Sequence, residues 1–111
     1  MTRITVFYRN GSPAGFLAKG HTGYAEAGED IVCAAVSALT QTAYLGVAEL
    51  AKAEVTVKQK DGELRVMLSE GISDEEREKA ELILGTMLLG LRSIEENYSD
   101  YLKVLKREVK A

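Results

Sequence analysis

The chain has 111 residues, of which 46% are hydrophobic and 28% are charged, and its formal net charge is −3. This length and composition exclude a disordered chain and predict one globular domain over residues 1–111, with a core that needs neither disulfide nor metal. The chain is slightly acidic and lacks the excess of positive charge that is typical of nucleic-acid-binding proteins, so we expect no direct nucleic-acid partner.

The single cysteine, Cys33, cannot form an internal disulfide, which indicates a reducing compartment. The first four residues lack the long apolar region of a signal peptide. The longest stretch without charge runs between Asp30 and Glu49, and polar residues interrupt it. We therefore predict a cytoplasmic protein that does not engage a membrane.

Two strands are predicted before the first helix. Residues 4–8 are β-branched and aromatic, residues 10–13 form a turn signal, and residues 14–19 supply the returning strand of a hairpin. This hairpin leads directly to Gly20 and His21. A histidine at the end of a strand is well placed to reach the start of a helix.

The stretch from Gly20 to Leu39 holds the chain's only histidine and its only cysteine. Gly20, Gly23 and Gly28 predict a mobile loop, with Tyr24 between them as a residue that packs against either substrate or the domain surface. From about residue 31 to about residue 52, apolar residues at helical spacing predict a buried helix.

The start of this helix favours a reactive thiol. We predict Asp30 as its N-cap, which makes Cys33 the third helical residue. The positive end of the helix dipole there favours a thiolate, and backbone N–H groups near Cys33 are candidate donors to an oxyanion. If the loop folds back, His21 supplies the adjacent base that a thiol nucleophile requires.

The same stretch resembles the signature of the ribosomal-processing cysteine protease family, often called Prp. The matching positions are Gly20-His21, Gly28, residues 30–35 (D-I-V-C-A-A) and Ser37-Ala38, and the spacing from histidine to cysteine matches as well. Most members have alanine after the histidine, where this chain has Thr22. The signature covers about a fifth of the chain.

The resemblance implies a cysteine endopeptidase that removes an N-terminal extension from large-subunit ribosomal protein number twenty-seven during bacterial ribosome maturation. It implies His21 and Cys33 as the catalytic dyad, with Asp30 and Ser37 in support. It also implies a homodimer. Ser37 lies one turn after Cys33, where its hydroxyl could bond the sulfur region, the substrate or the carbonyl of Cys33.

The second half of the chain predicts three strands and a helix. Residues 54–60 and 63–69 flank Asp61-Gly62, which predicts a hairpin with a type I′ turn. A capping box begins at Ser73 and predicts a helix to about residue 98. Residues 101–109 then form a lysine-rich strand that is typical of a sheet edge. We predict an α+β fold of order β-β-α-β-β-α-β, with two helices packed on a sheet of about five strands.

Other interpretations of the stretch from Gly20 to Leu39 are less well supported by its residues. A lone helical cysteine is often a buried structural residue. A metal site built from His21, Glu26, Glu29, Asp30 and Cys33 has fewer Cys and His ligands than zinc sites usually have, so we predict no metal and no cofactor. The loop lacks the G-K-[ST] ending of a phosphate cradle, and no G-x-S-x-G elbow indicates a serine hydrolase. A non-catalytic ribosome-assembly module and a redox-sensing thiol protein remain as alternative functions.

Overall fold

The computed structural model describes residues 1–20 and 27–110, with residues 27–29 described by their backbone alone. Its element order is β-β-α-β-β-α-β, which confirms the predicted order and the α+β class. The elements, in chain order, are β1 (Thr2–Arg9), β2 (Ser12–Lys19), α1 (Ala27–Glu49), β3 (Val55–Lys60), β4 (Glu63–Leu68), α2 (Asp74–Asn97) and β5 (Leu102–Glu108).

The five strands form one mixed sheet of order β3-β4-β2-β1-β5. Each hairpin pairs antiparallel, and β2 pairs antiparallel with β4, whereas β5 lies parallel to β1. The parallel pairing requires a crossover, which α2 provides between β4 and β5. The lysine-rich strand β5 is an edge strand, as predicted.

Both helices pack on one face of the sheet. The inward positions of β1 are Ile4, Val6 and Tyr8, and all three belong to the core that the helices cover. β4 buries Val66 and Leu68 in the same way, in the period-two pattern of a half-buried sheet. The opposite sheet face has no described layer over it and is therefore solvated.

The two helices contact each other closely through glycines. A Cβ atom added at Gly46 would lie 3.3 Å from Ile83, and one added at Gly90 would lie 3.1 Å from Leu39. Each glycine thus leaves room for a large apolar side chain of the other helix. By contrast, Ala34 and Ala38, two of the small residues near Cys33, are exposed and do not serve core packing.

Helix α1 begins earlier than predicted. Its first residue is Ala27, so Gly28 lies in the first turn and Asp30 is a helical residue rather than the N-cap. The prediction placed the start where the dense apolar run begins at residue 31. Residues 27–30 (A-G-E-D) show no helical periodicity of apolar residues, so the pattern could not indicate this first turn.

By length and composition alone, residues Asp30–Glu49 could cross a membrane, with a mean hydropathy of 1.6. The polar residues that interrupt this stretch do not keep it below the hydropathy of a membrane span. The core helix of a globular domain meets the same criterion, and Val32, Val36, Ala43 and Val47 of α1 are buried inside this protein.

Helix α2 begins as predicted. The Ser73 side chain accepts a hydrogen bond from the backbone N–H of Glu76, and the Glu76 carboxylate accepts one from the backbone N–H of Ser73. This reciprocal capping box satisfies two of the free amide groups at the helix start. The helix ends at Asn97, one residue before the predicted end.

The two hairpin turns differ from the prediction in type. Asp61-Gly62 connects β3 and β4 as predicted, but only Gly62 has a positive φ, of 72°, so the turn is not type I′. The type I′ pattern occurs instead at Asn10-Gly11, where φ is 55° and 81°. Asparagine adopts the left-handed region readily, which explains why it occupies that position.

Gly15 of β2 is required where β2 and β4 approach each other. A Cβ atom at this position would collide with the carbonyl oxygen of Val66 and would lie 2.6 Å from the Met67 sulfur. We expect Gly15→Ala to lower the free energy of unfolding by about 1–3 kcal/mol, the usual cost of overpacking. Chemical denaturation would measure this. Gly71→Ala is the matched control, because a Cβ there meets nothing within 4 Å and should change stability by less than about 1 kcal/mol. Equal stability of both variants and the wild type would contradict the close approach.

Candidate active site

Cys33 lies half-buried on α1, at the end of the sheet where β1 begins. Its sulfur is 3.0 Å from the hydroxyl oxygen of Thr2, and either atom can be the donor. Thr2 is only 2% exposed. A threonine hydroxyl can donate to a thiolate and can accept from a neutral thiol, so this contact accommodates both protonation states of Cys33.

The position of Thr2 follows from the pleat of β1. Alternate residues of a strand point to the same face, so Thr2 faces inward together with Ile4 and Val6. Sequence reasoning missed this residue because it began the strand at Ile4. The sequence nevertheless contained a signal: Thr2 lies two residues before Ile4 and therefore belongs to the same inward-facing series of β1.

The Thr2–Cys33 contact forms the floor of a cavity of about 220 Å³. The cavity lies between α1, the end of β2 and the turn between β3 and β4. Its lining residues are Thr2, Ala18, Gly20, Cys33, Val36, Ser37, Thr40, Gln41, Gln59, Lys60, Gly62, Glu63 and Leu64. Apolar and polar groups thus alternate around a half-buried thiol, as is common in small-molecule and peptide sites.

Backbone and charge contacts fix the wall of this cavity opposite α1. The amide of Gly20 donates to the carbonyl of Gly62 over 2.8 Å, which ties the end of β2 to the β3–β4 turn. Glu63 forms ion pairs with Lys19 at 3.4 Å and Lys60 at 3.8 Å. These pairs are partly exposed and stabilise the fold only weakly, but they position charge at the rim.

The structure brings three of the predicted site residues together, since Gly20, Cys33 and Ser37 all line the cavity. His21, Gly23 and Tyr24 lie outside the described residues. Asp30 is exposed on α1 and does not line the cavity, and Gly28 is part of the helix rather than the loop.

The earlier start of α1 changes how Cys33 can be activated. Cys33 lies six positions after Ala27, beyond the first turn, where the influence of the helix dipole has largely decayed. Its amide is also past the four unpaired N–H groups of a helix start. The predicted oxyanion donors among the amides near Cys33 are therefore occupied by intrahelical hydrogen bonds, so donors to an oxyanion must come from another part of the cavity.

Ser37 has a hydrogen-bond partner that was not predicted. Its hydroxyl oxygen accepts a hydrogen bond of 2.7 Å from the side-chain amide of Gln41, and both residues line the cavity. The buried Thr40 donates to the carbonyl of Val36 over 2.9 Å. The Gln41 amide carries a second N–H, which makes it a candidate donor to substrate. The supporting role of Ser37 stays a prediction.

No cluster of three metal-ligating side chains occurs among residues 1–20 and 30–110, whose side chains the structure describes. Within this part of the chain, the polar side chains around Cys33 are the hydroxyls of Thr2, Ser37 and Thr40, the amides of Gln41 and Gln59, and the Lys60–Glu63 ion pair. This set can orient a peptide and stabilise charge at a thiol.

Comparison with known proteins assigns the family. The sequence profile described as cysteine protease Prp matches residues 1–103, which is nearly the whole chain. The chain belongs to the Prp family. A ribosomal processing cysteine protease Prp of Bacillus subtilis is 36% identical over 87 residues, covering 77% of this chain and 78% of the relative. A Prp of Staphylococcus aureus is 32% identical over 88 residues, with the same shares covered.

Solved Prp structures share the fold. A Staphylococcus aureus Prp in complex with a substrate peptide superposes with a TM-score of 0.84 at 25% identity, covering 96% of this chain and all of that chain. The same protein with a covalently linked product peptide gives a TM-score of 0.80 at 27% identity. A Streptococcus mutans structure gives 0.84 at 29% identity and covers 98% of this chain. This Prp chain is thus a member of a ribosomal processing cysteine protease family, and Cys33 is its single cysteine.

The Thr2 hydroxyl should raise the reactivity of Cys33. A hydrogen bond to a charged group contributes about 1.5–3 kcal/mol, so we expect Thr2→Val to slow alkylation of Cys33 by iodoacetamide at neutral pH by roughly tenfold or more. Thr2→Ser keeps the hydroxyl and should react much as the wild type does. If both variants react like the wild type, the hydroxyl does not stabilise the thiolate.

Proposed function

We propose that this protein is an endopeptidase in which Cys33 is the nucleophile and His21 is the general base and acid, acting on the N-terminal extension of large-subunit ribosomal protein number twenty-seven. The observation that carries the proposal is that Gly20 lines the same cavity as Cys33, and His21 is the next residue in the chain. The resemblance in sequence supports the substrate, and the two Staphylococcus aureus peptide complexes support peptide binding in this fold.

The first half of the reaction forms a thioester. The Cys33 thiolate attacks the carbonyl carbon of the scissile peptide bond, and the carbonyl oxygen takes the negative charge in a tetrahedral intermediate. When the intermediate collapses, the C–N bond breaks and protonated His21 donates a proton to the leaving amine. The product with the new N-terminus departs, and the extension stays on the sulfur.

The second half releases the extension. Neutral His21 removes a proton from water, which attacks the thioester carbonyl, and collapse breaks the C–S bond. Thr2 Oγ1 lies 3.0 Å from the sulfur and can donate a hydrogen bond to the regenerated thiolate. Gln41 lines the cavity, and one N–H of its side-chain amide is bonded to Ser37. The other N–H of this amide can donate to the bound peptide.

Replacing the sulfur tests the nucleophile. We expect Cys33→Ser to abolish cleavage of the unprocessed ribosomal protein, because an alcohol lacks the acidity and nucleophilicity of a thiol. Its hydroxyl can keep the hydrogen bond to Thr2, so the melting temperature should stay close to that of the wild type. Mass spectrometry of the products gives the measurement.

Cys33→Ala serves as the comparison. It should be equally inactive but less stable, by about 1–3 kcal/mol, because the buried Thr2 hydroxyl loses its partner. Cleavage by either variant would overturn the proposed nucleophile. Cleavage that persists in His21→Ala would overturn the role of His21 alone.

We also propose that the protein acts as a homodimer in the cytoplasm. The outer surface of the two helices exposes large apolar side chains, with Leu82 73% and Leu89 72% exposed on α2 and Leu45 55% exposed on α1. Leu82 and Leu89 are seven residues apart and therefore lie on one line along the helix. Such a patch is typical of a protein–protein interface, and a second copy would cover it.

Leu89→Glu tests the dimer. A buried unpaired carboxylate at the centre of the patch should shift the protein to monomer, as measured by sedimentation equilibrium. Leu105→Glu is the control, because Leu105 is 43% exposed but lies on β5, on the sheet face opposite the helices. A wild-type monomer at micromolar concentration, or equal dissociation by both variants, would contradict the proposed interface.

A further inference from the structure

The sheet face opposite the helices has an unusual composition. Its outward positions form three rows across the five strands. The first row is Lys60, Glu63, Lys19, Arg3 and Lys103; the second is Lys58, Arg65, Leu17, Thr5 and Leu105; the third is Thr56, Met67, Gly15, Phe7 and Arg107. We call these rows the basic face.

Charge is segregated onto this face. It carries seven of the chain's 14 lysine and arginine residues but only one of the 17 acidic residues. That acid, Glu63, is already paired with Lys19 and Lys60. The net charge of −3 therefore conceals a local excess of positive charge, so the expectation of no direct nucleic-acid partner, which rested on the overall acidic balance, does not extend to this face. A surface of this kind attracts polyanions over a distance of roughly a Debye length.

Arg65 is held at the centre of the basic face. Its guanidinium carbon lies 5.1 Å from the centre of the Phe7 ring, within the range of a cation–π contact, while Arg65 stays exposed. Two concavities adjoin it. One, of about 180 Å³, is lined by Leu17, Lys58, Lys60, Glu63 and Arg65; the other, of about 520 Å³, is lined by Phe7, Leu17, Arg65, Arg107, Glu108, Val109 and Lys110.

We propose that the basic face binds the phosphate backbone of single-stranded RNA. Its cations extend over the width of five strands, about 19 Å, so that successive phosphates of one strand can each meet a cation. The open side of the Arg65 guanidinium plane can stack on a base, as arginine does in RNA recognition. The choice of RNA among polyanions rests on the proposed function, because an enzyme that processes a ribosomal protein works beside ribosomal RNA.

The same observations disfavour two other occupants. A second copy of the chain would bring two sets of seven cations together, which is repulsive. A membrane-binding face needs apolar residues to insert, and the large apolar side chains here are the partly exposed Leu105, the more covered Leu17 and Met67, and Phe7, which is only 4% exposed. An acidic polypeptide has the required charge but lacks bases to stack on Arg65.

Fluorescence anisotropy with a labelled single-stranded RNA of about 20 nucleotides tests the proposal on the intact protein. We expect saturable binding at about 50 mM salt that weakens as salt rises, with a slope of log K against log salt of about −3 for four phosphate contacts. Lys58→Gln/Lys103→Gln removes one cation from each edge strand. It should weaken binding at least fivefold and reduce the slope by about 1.4.

Lys52→Gln/Lys79→Gln is the matched control. It makes the same change in net charge at two exposed lysines away from the basic face, and it should change affinity less than twofold. Equal loss in both variants, or no saturable binding of RNA by the wild type, overturns the proposal. Competition by polyglutamate or by phosphatidylserine-rich vesicles as effective as by RNA overturns it too, in favour of an acidic protein or a membrane.

Cleavage of a short substrate peptide by all three proteins is measured alongside. The lysines of both variants lie outside the cavity, so equal cleavage with reduced RNA binding is the expected result. If RNA binds as expected while no peptide is cut by the wild type, the proposed function fails and the basic face remains. If peptide is cut normally and RNA does not bind, only the RNA surface is refuted.

Discussion

The alternation of side chains along β1 determines most of what this protein presents to its surroundings. Each residue of a strand points to one of two faces, and β1 lies between β2 and β5 in the sheet. Its inward series begins with Thr2 and continues through Ile4 and Val6 into the core. Its outward series contains Arg3, Thr5 and Phe7. A shift of one residue in register would bury Arg3 and expose Thr2, so the core, the surroundings of Cys33 and the basic face depend on the same register.

This register places the Cys33 thiol at the edge of the hydrophobic core, beside the start of β1. The first inward side chain of β1 is Thr2, which carries a hydroxyl instead of a hydrocarbon chain. The sulfur of Cys33 on α1 lies 3.0 Å from the oxygen of that hydroxyl. The sulfur is therefore not fully buried, which would make it inert. It is also not free in solvent, where it would have no hydrogen-bond partner from the protein. Because α1 begins at Ala27, Cys33 lies beyond the first helical turn, and the hydroxyl of Thr2 is a hydrogen-bond partner of its sulfur.

Much of the fold could be predicted because its signals are local. The alternation in β1 and β4, the capping box at Ser73 and the charge pattern of β5 each specify an element from neighbouring residues alone. The errors concern features that depend on distant contacts. The type of the Asp61-Gly62 turn depends on how β3 and β4 twist, and the first turn of α1, residues 27–30, has no apolar periodicity in its sequence.

The candidate site was predictable only in part. Cys33, Gly20 and Ser37 were found from a linear motif and line one cavity. Thr2, Gln41 and the β3–β4 turn come from other parts of the chain, and only the order of strands in the sheet brings them to the same place. The basic face escaped detection for the same reason, since its seven cations are dispersed along five strands.

The parallel pairing of β1 with β5 has a consequence for synthesis on the ribosome. Thr2 pairs with Leu102, one hundred positions later, so β1 leaves the ribosome long before its partner exists. Until then, the edge of β1 opposite β2 has no partner strand, and apolar residues such as Ile4 and Val6 become covered only as α1 and then α2 are made. The nascent chain is thus open to mispairing at this edge, and completion of the sheet beside Cys33 must wait for the pairing of β1 with β5.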